Sequence, residues 1–147
     1  MPASALICDT GALLDYLSRS APDHAAFRRV IDDAGTRYVP GLVLVELDYF
    51  LRHQRKAMAR FVDDMHRGAF TYVPPSAWHI CRAMDIDRRY ADLGLGLVDA
   101  SIVAVAEEVG VSRLATRDIR HFTAVRLASG QAFELAVHPT RPDGPRR

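Results

Sequence analysis

The run Ala5-Leu6-Ile7-Cys8 limits what this chain can become more than any other stretch. Its apolar residues are consecutive rather than alternate, so a strand built from it has no face to give to water. Strands of that kind sit in parallel sheets covered by helices on both sides. Helices are predicted for Ala12 to Leu17, for Pro22 to about Gly35, for Leu42 to Arg52, for Ala57 to Arg67, from an N-cap at Ser76 to about Tyr90, and for Leu97 to Val109. Short strands are expected at Tyr38-Val39, Phe70 to Val73, Leu114 to Thr116 and Phe133 to Leu135. The alternation predicts an α/β fold, with a central, mostly parallel sheet of about four or five strands flanked by helices on both faces.

With 147 residues the chain has the length of one domain and, at roughly 70% burial of its unfolded surface, needs no disulfide or structural metal to fold. Cys8 and Cys81 make no disulfide framework, so a reducing cytoplasm is the expected location. No apolar run approaches the roughly 18 residues of a membrane span, and Met1 to Asp9 lacks the basic start of a secretory signal. A net charge of +1 excludes a uniformly basic nucleic-acid coat, while leaving room for a basic rim around an acidic pocket. From His138 onward Pro139, Pro142, Gly144 and Pro145 accumulate, so the domain is placed at 1–137, with a disordered Pro/Arg-rich tail at 138–147.

Most of the 18 acidic residues fall on polar helix stretches, as Asp32-Asp33, Asp63-Asp64 and Glu107-Glu108 do, and are expected to be solvated. Four fit that explanation badly. Asp9 directly follows the buried strand, and Asp118 follows a second short strand after one intervening arginine. Glu46 has Leu42, Val43, Tyr49 and Phe50 as its helical neighbours, and Asp99 has Ile102 and Val103. A carboxylate on an apolar face is costly unless its charge is matched. A turn at Asp9, an N-cap at Asp99 or a distant arginine at Glu46 would each supply a structural explanation. The alternative is convergence. Two carboxylates ~4 Å apart repel by ~4 kcal/mol at an effective dielectric of 20, and a divalent cation offsets that repulsion. A donor set of oxygens, with no cysteine and no paired histidine at ligand spacing, points to Mg²⁺ or Mn²⁺ rather than Zn²⁺. His121, three residues after Asp118, is a weaker candidate. Other chemistries fit poorly. Ser101 lacks a Gly-x-Ser-x-Gly elbow, Cys8 lies inside a strand, Gly11 stands where a dehalogenase-type phosphatase needs a second Asp, and Lys56 is on a polar helix rather than at a strand end.

The segments Ile7-Cys8-Asp9-Thr10-Gly11-Ala12-Leu13, Val45-Glu46-Leu47, Leu97-Val98-Asp99-Ala100-Ser101-Ile102 and Leu114-Ala115-Thr116-Arg117-Asp118-Ile119-Arg120-His121-Phe122 occur in this order. Together they resemble the PIN-domain pattern, and most closely the VapC-type ribonuclease toxins of bacterial toxin–antitoxin systems, as does the stretch from Tyr90 to Ala100. The resemblance spans about residues 5 to 135 and implies a PIN-like fold. It also implies that Asp9 and Asp99 are the first metal-binding acids, with Glu46 and Asp118 binding second or through water. Thr10 would bring a hydroxyl to the metal or substrate, and Thr116 would support it. Arg117 becomes a candidate for phosphate contact, its alternative being a salt bridge; Asp92 belongs either to the acidic rim or to a turn. The implied activity is Mg²⁺-dependent hydrolysis of tRNA or rRNA, with Mn²⁺ as a substitute, leaving a 5′-phosphate and a 3′-hydroxyl. The implied partners are a second copy of the chain and a VapB-like antitoxin, whose C-terminal segment would lie in a groove near Phe50 and Phe61. Two other readings remain open at this point: a catalytically silent PIN-like binding module, and a PIN nuclease of RNA processing outside any toxin–antitoxin pair.

Overall fold

The computed structural model describes residues 4–140. Five strands, β1 (Ala5–Cys8), β2 (Thr36–Pro40), β3 (Thr71–Val73), β4 (Arg113–Ala115) and β5 (Glu134–Leu135), form one sheet in the order β3-β2-β1-β4-β5. Every pairing is parallel. The helices are α1 (Thr10–Leu17), α2 (His24–Asp33), α3 (Gly41–Phe50), α4 (Arg55–His66), α5 (Ala77–Arg89), α6 (Gly96–Val109) and α7 (Ile119–Ala124). The α/β architecture is the one expected. At its centre, Leu6, Ile7 and Cys8 are all fully buried. Successive strand residues point to opposite faces, so both faces of β1 are covered. Burial also pushes the Cys8 thiol up to about 12, which leaves it a packing group.

Local chemistry sets the helix limits. Ser76 caps α5 in a reciprocal box: its Oγ accepts from the His79 amide at 3.1 Å, and its own amide donates to His79 Nδ1 at 3.2 Å. Gly110, in the left-handed region at φ 70°, ends α6. Gly41 opens α3 where a Cβ would lie 2.3 Å from Pro75 Cδ. Any larger residue there would push α3 off the β3–α5 connection. The short helix α7 is absent from the sequence prediction, because six residues are too few to show a period.

The first residues of the expected tail pack against the domain: Pro139 is buried, and Thr140 donates from its amide and hydroxyl to Asp23 at 3.1 Å. The rest of the predicted tail, 141–147, lies outside the described residues. Glu107 is not a solvated acid. Its carboxylate accepts a bidentate pair from Arg82 at 2.8 and 2.9 Å and a third bond from the Ala128 amide at 2.7 Å. This joins α5 to α6 and both to the segment leading into β5. The Arg82 hydrogen bonds outweigh burial and hold the Glu107 carboxyl below the usual carboxylate range.

A group of that kind contributes stability that is complete above its unfolded value, about 4.3, and is lost as pH falls through the lower folded value. Glu107→Gln is therefore expected to lose about 1–3 kcal/mol near neutral pH. The difference from wild type should shrink in urea titrations carried below the folded-state value. A gap that stays constant with pH would contradict the assignment.

Candidate active site

The chain winds outward from β1 through β2 to β3, then returns to the other side of β1 to form β4 and β5. The carboxyl ends of β1 and β4 therefore flank the point where the winding direction reverses, the usual place for a ligand crevice in open α/β sheets. Asp9 is the first residue beyond β1, and its amide donates to Ala115 O at 2.9 Å, pinning the end of β1 to the end of β4. Asp118 lies just beyond β4. Both are N-caps as well as site acids. Asp9 Oδ1 accepts from the Thr10 amide at 2.7 Å at the start of α1, and Asp118 Oδ1 accepts from the His121 amide at 3.1 Å at the start of α7.

Thr116 joins the two acids. Its hydroxyl donates to Asp9 Oδ2 at 2.6 Å and accepts from the Asp118 amide at 2.9 Å. The direction is unambiguous, because an amide can only donate and the hydroxyl has a single proton to give. Asp99 enters from the first turn of α6 and is 2% exposed. It is not the N-cap of that helix, a position held by Leu95; Asp87 Oδ1 accepts from the Gly96 amide at 3.0 Å. Asp99 is thus placed by burial rather than by capping.

His121 connects Asp99 to Asp118. Its Nδ1 lies 2.7 Å from Asp99 Oδ2 and 2.7 Å from Asp118 Oδ2, and its Nε2 lies 3.0 Å from Leu93 O. Asp99, Asp118 and His121 each offer one ligand atom, and these atoms lie within 4.8 Å of one another. Sequence spacing had ranked His121 low, since a lone histidine carries no ligand pattern. The available signal was its position three residues after an aspartate that caps a short helix. Leu93 belongs to the 3₁₀ turn Ala91–Leu93, where Asp92 is exposed.

Asp9 and Glu46 stand outside that tight group. Asp9 reaches it through Thr116. Glu46, in the middle of α3, lines a groove of about 500 Å³ with Leu42, Val45, Tyr49, Phe50 and, from α6, Leu97 and Val98. Val98 precedes Asp99, so the Glu46 groove adjoins the start of the helix that carries Asp99. Phe50 lines this groove, whereas Phe61 is core, 1% exposed and packed on Phe70 at 4.8 Å between centroids.

Arg117, a candidate for phosphate contact, forms a salt bridge. Its Nη1 donates to Asp15 and, at 2.8 Å, to Asp23, with only 12% of its side chain exposed. Its alkyl stem covers Gly11, where a Cβ would lie 3.2 Å from Arg117 Cγ. Burial raises the Asp15 carboxyl despite the guanidinium beside it. Burial also works against charge on Asp23, but hydrogen bonds from Arg117 and Thr140 outweigh it and lower that carboxyl. Arg117 thereby braces α1 and the start of α2, and Asp23 in turn holds Thr140.

Thr10 supplies the remaining feature. Its hydroxyl is buried and has no hydrogen-bond partner among the described residues. A buried orphan hydroxyl beside a capped carboxylate is a cost that a ligand would relieve. The neighbouring Asp9 carboxylate and the Asp99 and Asp118 carboxylates beyond it are donors that suit a hard cation.

A PIN domain model matches residues 6–127. Ribonuclease VapC26 of Mycobacterium tuberculosis (strain ATCC 25618 / H37Rv) is 34% identical over 133 residues, which cover 88% of this chain and 98% of that protein. The fold is similar to the crystal structure of VapC20 from Mycobacterium tuberculosis, described as a sarcin–ricin loop cleaving toxin. The TM-score is 0.68 at 16% identity, over 74% of this chain and 86% of that one. It is also similar to VapBC2 from Rickettsia felis bound to a DNA fragment of its promoter, with a TM-score of 0.65 at 15% identity, over 89% of this chain and 98% of that one.

Thr116→Val tests the link between the two strand ends. The substitution keeps the shape, removes the donor to Asp9 and leaves the buried Asp118 amide without its hydroxyl acceptor. A loss of about 1–3 kcal/mol in metal-free urea denaturation is expected. No loss would show that the hydroxyl does not tie the strand ends together.

Proposed function

Since the chain belongs to the PIN-domain family, we propose that it is a metal-dependent endoribonuclease, the toxin of a VapBC-like toxin–antitoxin pair, and that it hydrolyses phosphodiester bonds of tRNA or rRNA. The observation that carries this reading is the joining of acids from separate elements. Asp9 and Asp118 share the Thr116 hydroxyl, and Asp118 and Asp99 share the His121 ring.

The residues fit a divalent cation. Carboxylate oxygens and the unsatisfied Thr10 hydroxyl form a hard donor set suited to Mg²⁺, with Mn²⁺ as a substitute. Asp9, Asp99 and Asp118 would hold the ion, and Thr10 would bond to its hydration shell or to the substrate. Such an ion, when bound, polarises the phosphodiester and makes water a usable nucleophile near neutral pH. Thr116 keeps Asp9 turned toward its own segment by donating to Oδ2. Glu46, the acid on the groove wall, is assigned to receive the proton of the attacking water. The products would be a 5′-phosphate and a 3′-hydroxyl.

The same groove is assigned to the antitoxin. Val45, Tyr49 and Leu97 are 68%, 58% and 39% exposed along it, an apolar strip beside an acid. A partner segment with apolar residues and an arginine would match both features. A homodimer and a cytoplasmic location complete the proposal. Among the described residues no helix is long and apolar enough to cross a membrane.

Asp9→Asn and Asp99→Asn are expected to reduce Mg²⁺-dependent cleavage of total RNA by about 100-fold or more, with thermal unfolding still cooperative. Excess EDTA should silence the wild type, and added Mg²⁺ or Mn²⁺ should restore it. Sequencing of new RNA 5′ ends would identify the target. Cleavage that survives either EDTA or both substitutions would refute the proposal.

A further inference from the structure

His121 has a role that the acids alone do not explain. Leu93 O can only accept a hydrogen bond, so the Nε2 atom 3.0 Å away must carry the donated proton. The other ring nitrogen, Nδ1, faces the carboxylates, 2.7 Å from an oxygen of Asp99 and 2.7 Å from an oxygen of Asp118, and it offers its lone pair to a cation that takes the place of its proton. A ring whose remote N–H is tied to a backbone carbonyl is the arrangement that orients histidine ligands in metal sites. The ring is also well fixed. Its side chain is 13% exposed, and its amide donates to Asp118 Oδ1 at 3.1 Å.

Building on the metal-dependent reading above, we infer that His121 Nδ1 is a direct ligand of the divalent cation, beside Asp99 and Asp118. Adjacent ligands of an octahedral ion at 2.0–2.1 Å lie about 3 Å apart. The two contacts of Nδ1, each 2.7 Å, therefore need to open by only a few tenths of an ångström to admit it, and all three donor atoms lie within 4.8 Å of one another. One imidazole among carboxylates changes the choice of metal. A site of oxygens alone suits Mg²⁺, whereas nitrogen donation favours later divalent ions, so this site binds Mn²⁺ more tightly than Mg²⁺. The selectivity then resides in a residue of the short helix α7 rather than in the acids.

The test uses Mn²⁺ alone as the probe, on the full chain without RNA. Pulsed electron paramagnetic resonance of the Mn²⁺-loaded wild type should show nitrogen hyperfine coupling. The coupling should vanish in His121→Asn and His121→Gln, while Mn²⁺ still binds with an affinity about 10- to 100-fold weaker. The asparagine variant keeps a polar group near the Nδ1 position, which favours a folded protein; the glutamine variant is the second arm. Bound Mn²⁺ with no nitrogen coupling in the wild type overturns the inference and leaves the nuclease reading intact, with His121 a hydrogen-bond bridge only. Coupling that persists in both variants overturns it equally. Absence of any Mn²⁺ binding by the wild type would instead overturn the metal-dependent reading, and this inference with it.

Discussion

Like charges brought together at one end of a sheet are the constraint on which the rest of this structure depends. Asp9 and Asp99 are 0% and 2% exposed and Asp118 is 6% exposed, so water does little to screen them. At an effective dielectric of 20, each pair at ~4 Å costs ~4 kcal/mol, a large share of the 5–15 kcal/mol net stability of a typical domain. The fold answers with short, directed bonds. The Thr10 amide serves Asp9, the Thr116 hydroxyl serves Asp9, the His121 amide serves Asp118, and the His121 ring spans Asp99 and Asp118. Every one of these donors comes from the local chain around the acid or from the neighbouring strand exit, so the compensation is built into the same segments that bring the charges in.

Topology explains why those segments meet. The reversal of winding at β1 leaves the exits of β1 and β4 side by side, and the Asp9 amide bonded to Ala115 O fixes their register. Once that register holds, Thr116 is one residue past Ala115 and faces Asp9, and Asp118 follows. Leu6, Ile7 and Cys8 of β1 are fully buried, so the position of that strand is determined from both faces of the sheet. The constraint that identified β1 in the sequence is therefore the one that positions the chemistry.

Legibility in the sequence follows from how local the cause of each feature is. Asp9, Glu46, Asp99 and Asp118 stand out because a charge in an apolar run is a contradiction visible within one helical turn or at one strand end. Helix limits at Ser76 and Gly110 are legible for the same reason. Glu107 was misread because its partner Arg82 lies 25 positions away, and one helix turn of sequence shows only Glu107-Glu108 on a polar stretch. For Arg117 a salt bridge is one of the two readings the sequence offers, but its partners are not legible there, because Asp15 and Asp23 lie 102 and 94 positions away. His121 was underrated because α7 has six residues, too few for a pattern, and because its ring contacts come from α6 and a 3₁₀ turn. The apolar residues Phe50 and Phe61 look equivalent in the sequence, yet Phe50 lines the groove beside Glu46 while Phe61 belongs to the core, a difference set by packing between distant elements.

The distribution of charge along α1 bears on how an anionic substrate approaches an anionic pit. Asp9 caps the N-terminal end of α1, where the helix dipole favours a carboxylate. Beyond its C-terminal end lies a separate concavity lined by Arg19, His24, Arg28 and Arg60, with Tyr16 and Asp64. Eight residues of helix separate the two ends, a rise of about 12 Å. These basic residues thus gather at the end of α1 opposite Asp9. A phosphate brought against Asp9, Asp99 and Asp118 would meet three carboxylates, whose repulsion a divalent ion coming with it would offset. Under the proposed function, the ion is as much a part of substrate recognition as of bond cleavage, and a metal-free protein has little reason to hold RNA at its acids. The apolar groove beside Glu46 is exempt from that argument, because burial of Val45, Tyr49 and Leu97 by a partner needs no cation. Metal therefore separates the two kinds of ligand this surface would take, being required by RNA and dispensable for an apolar protein segment.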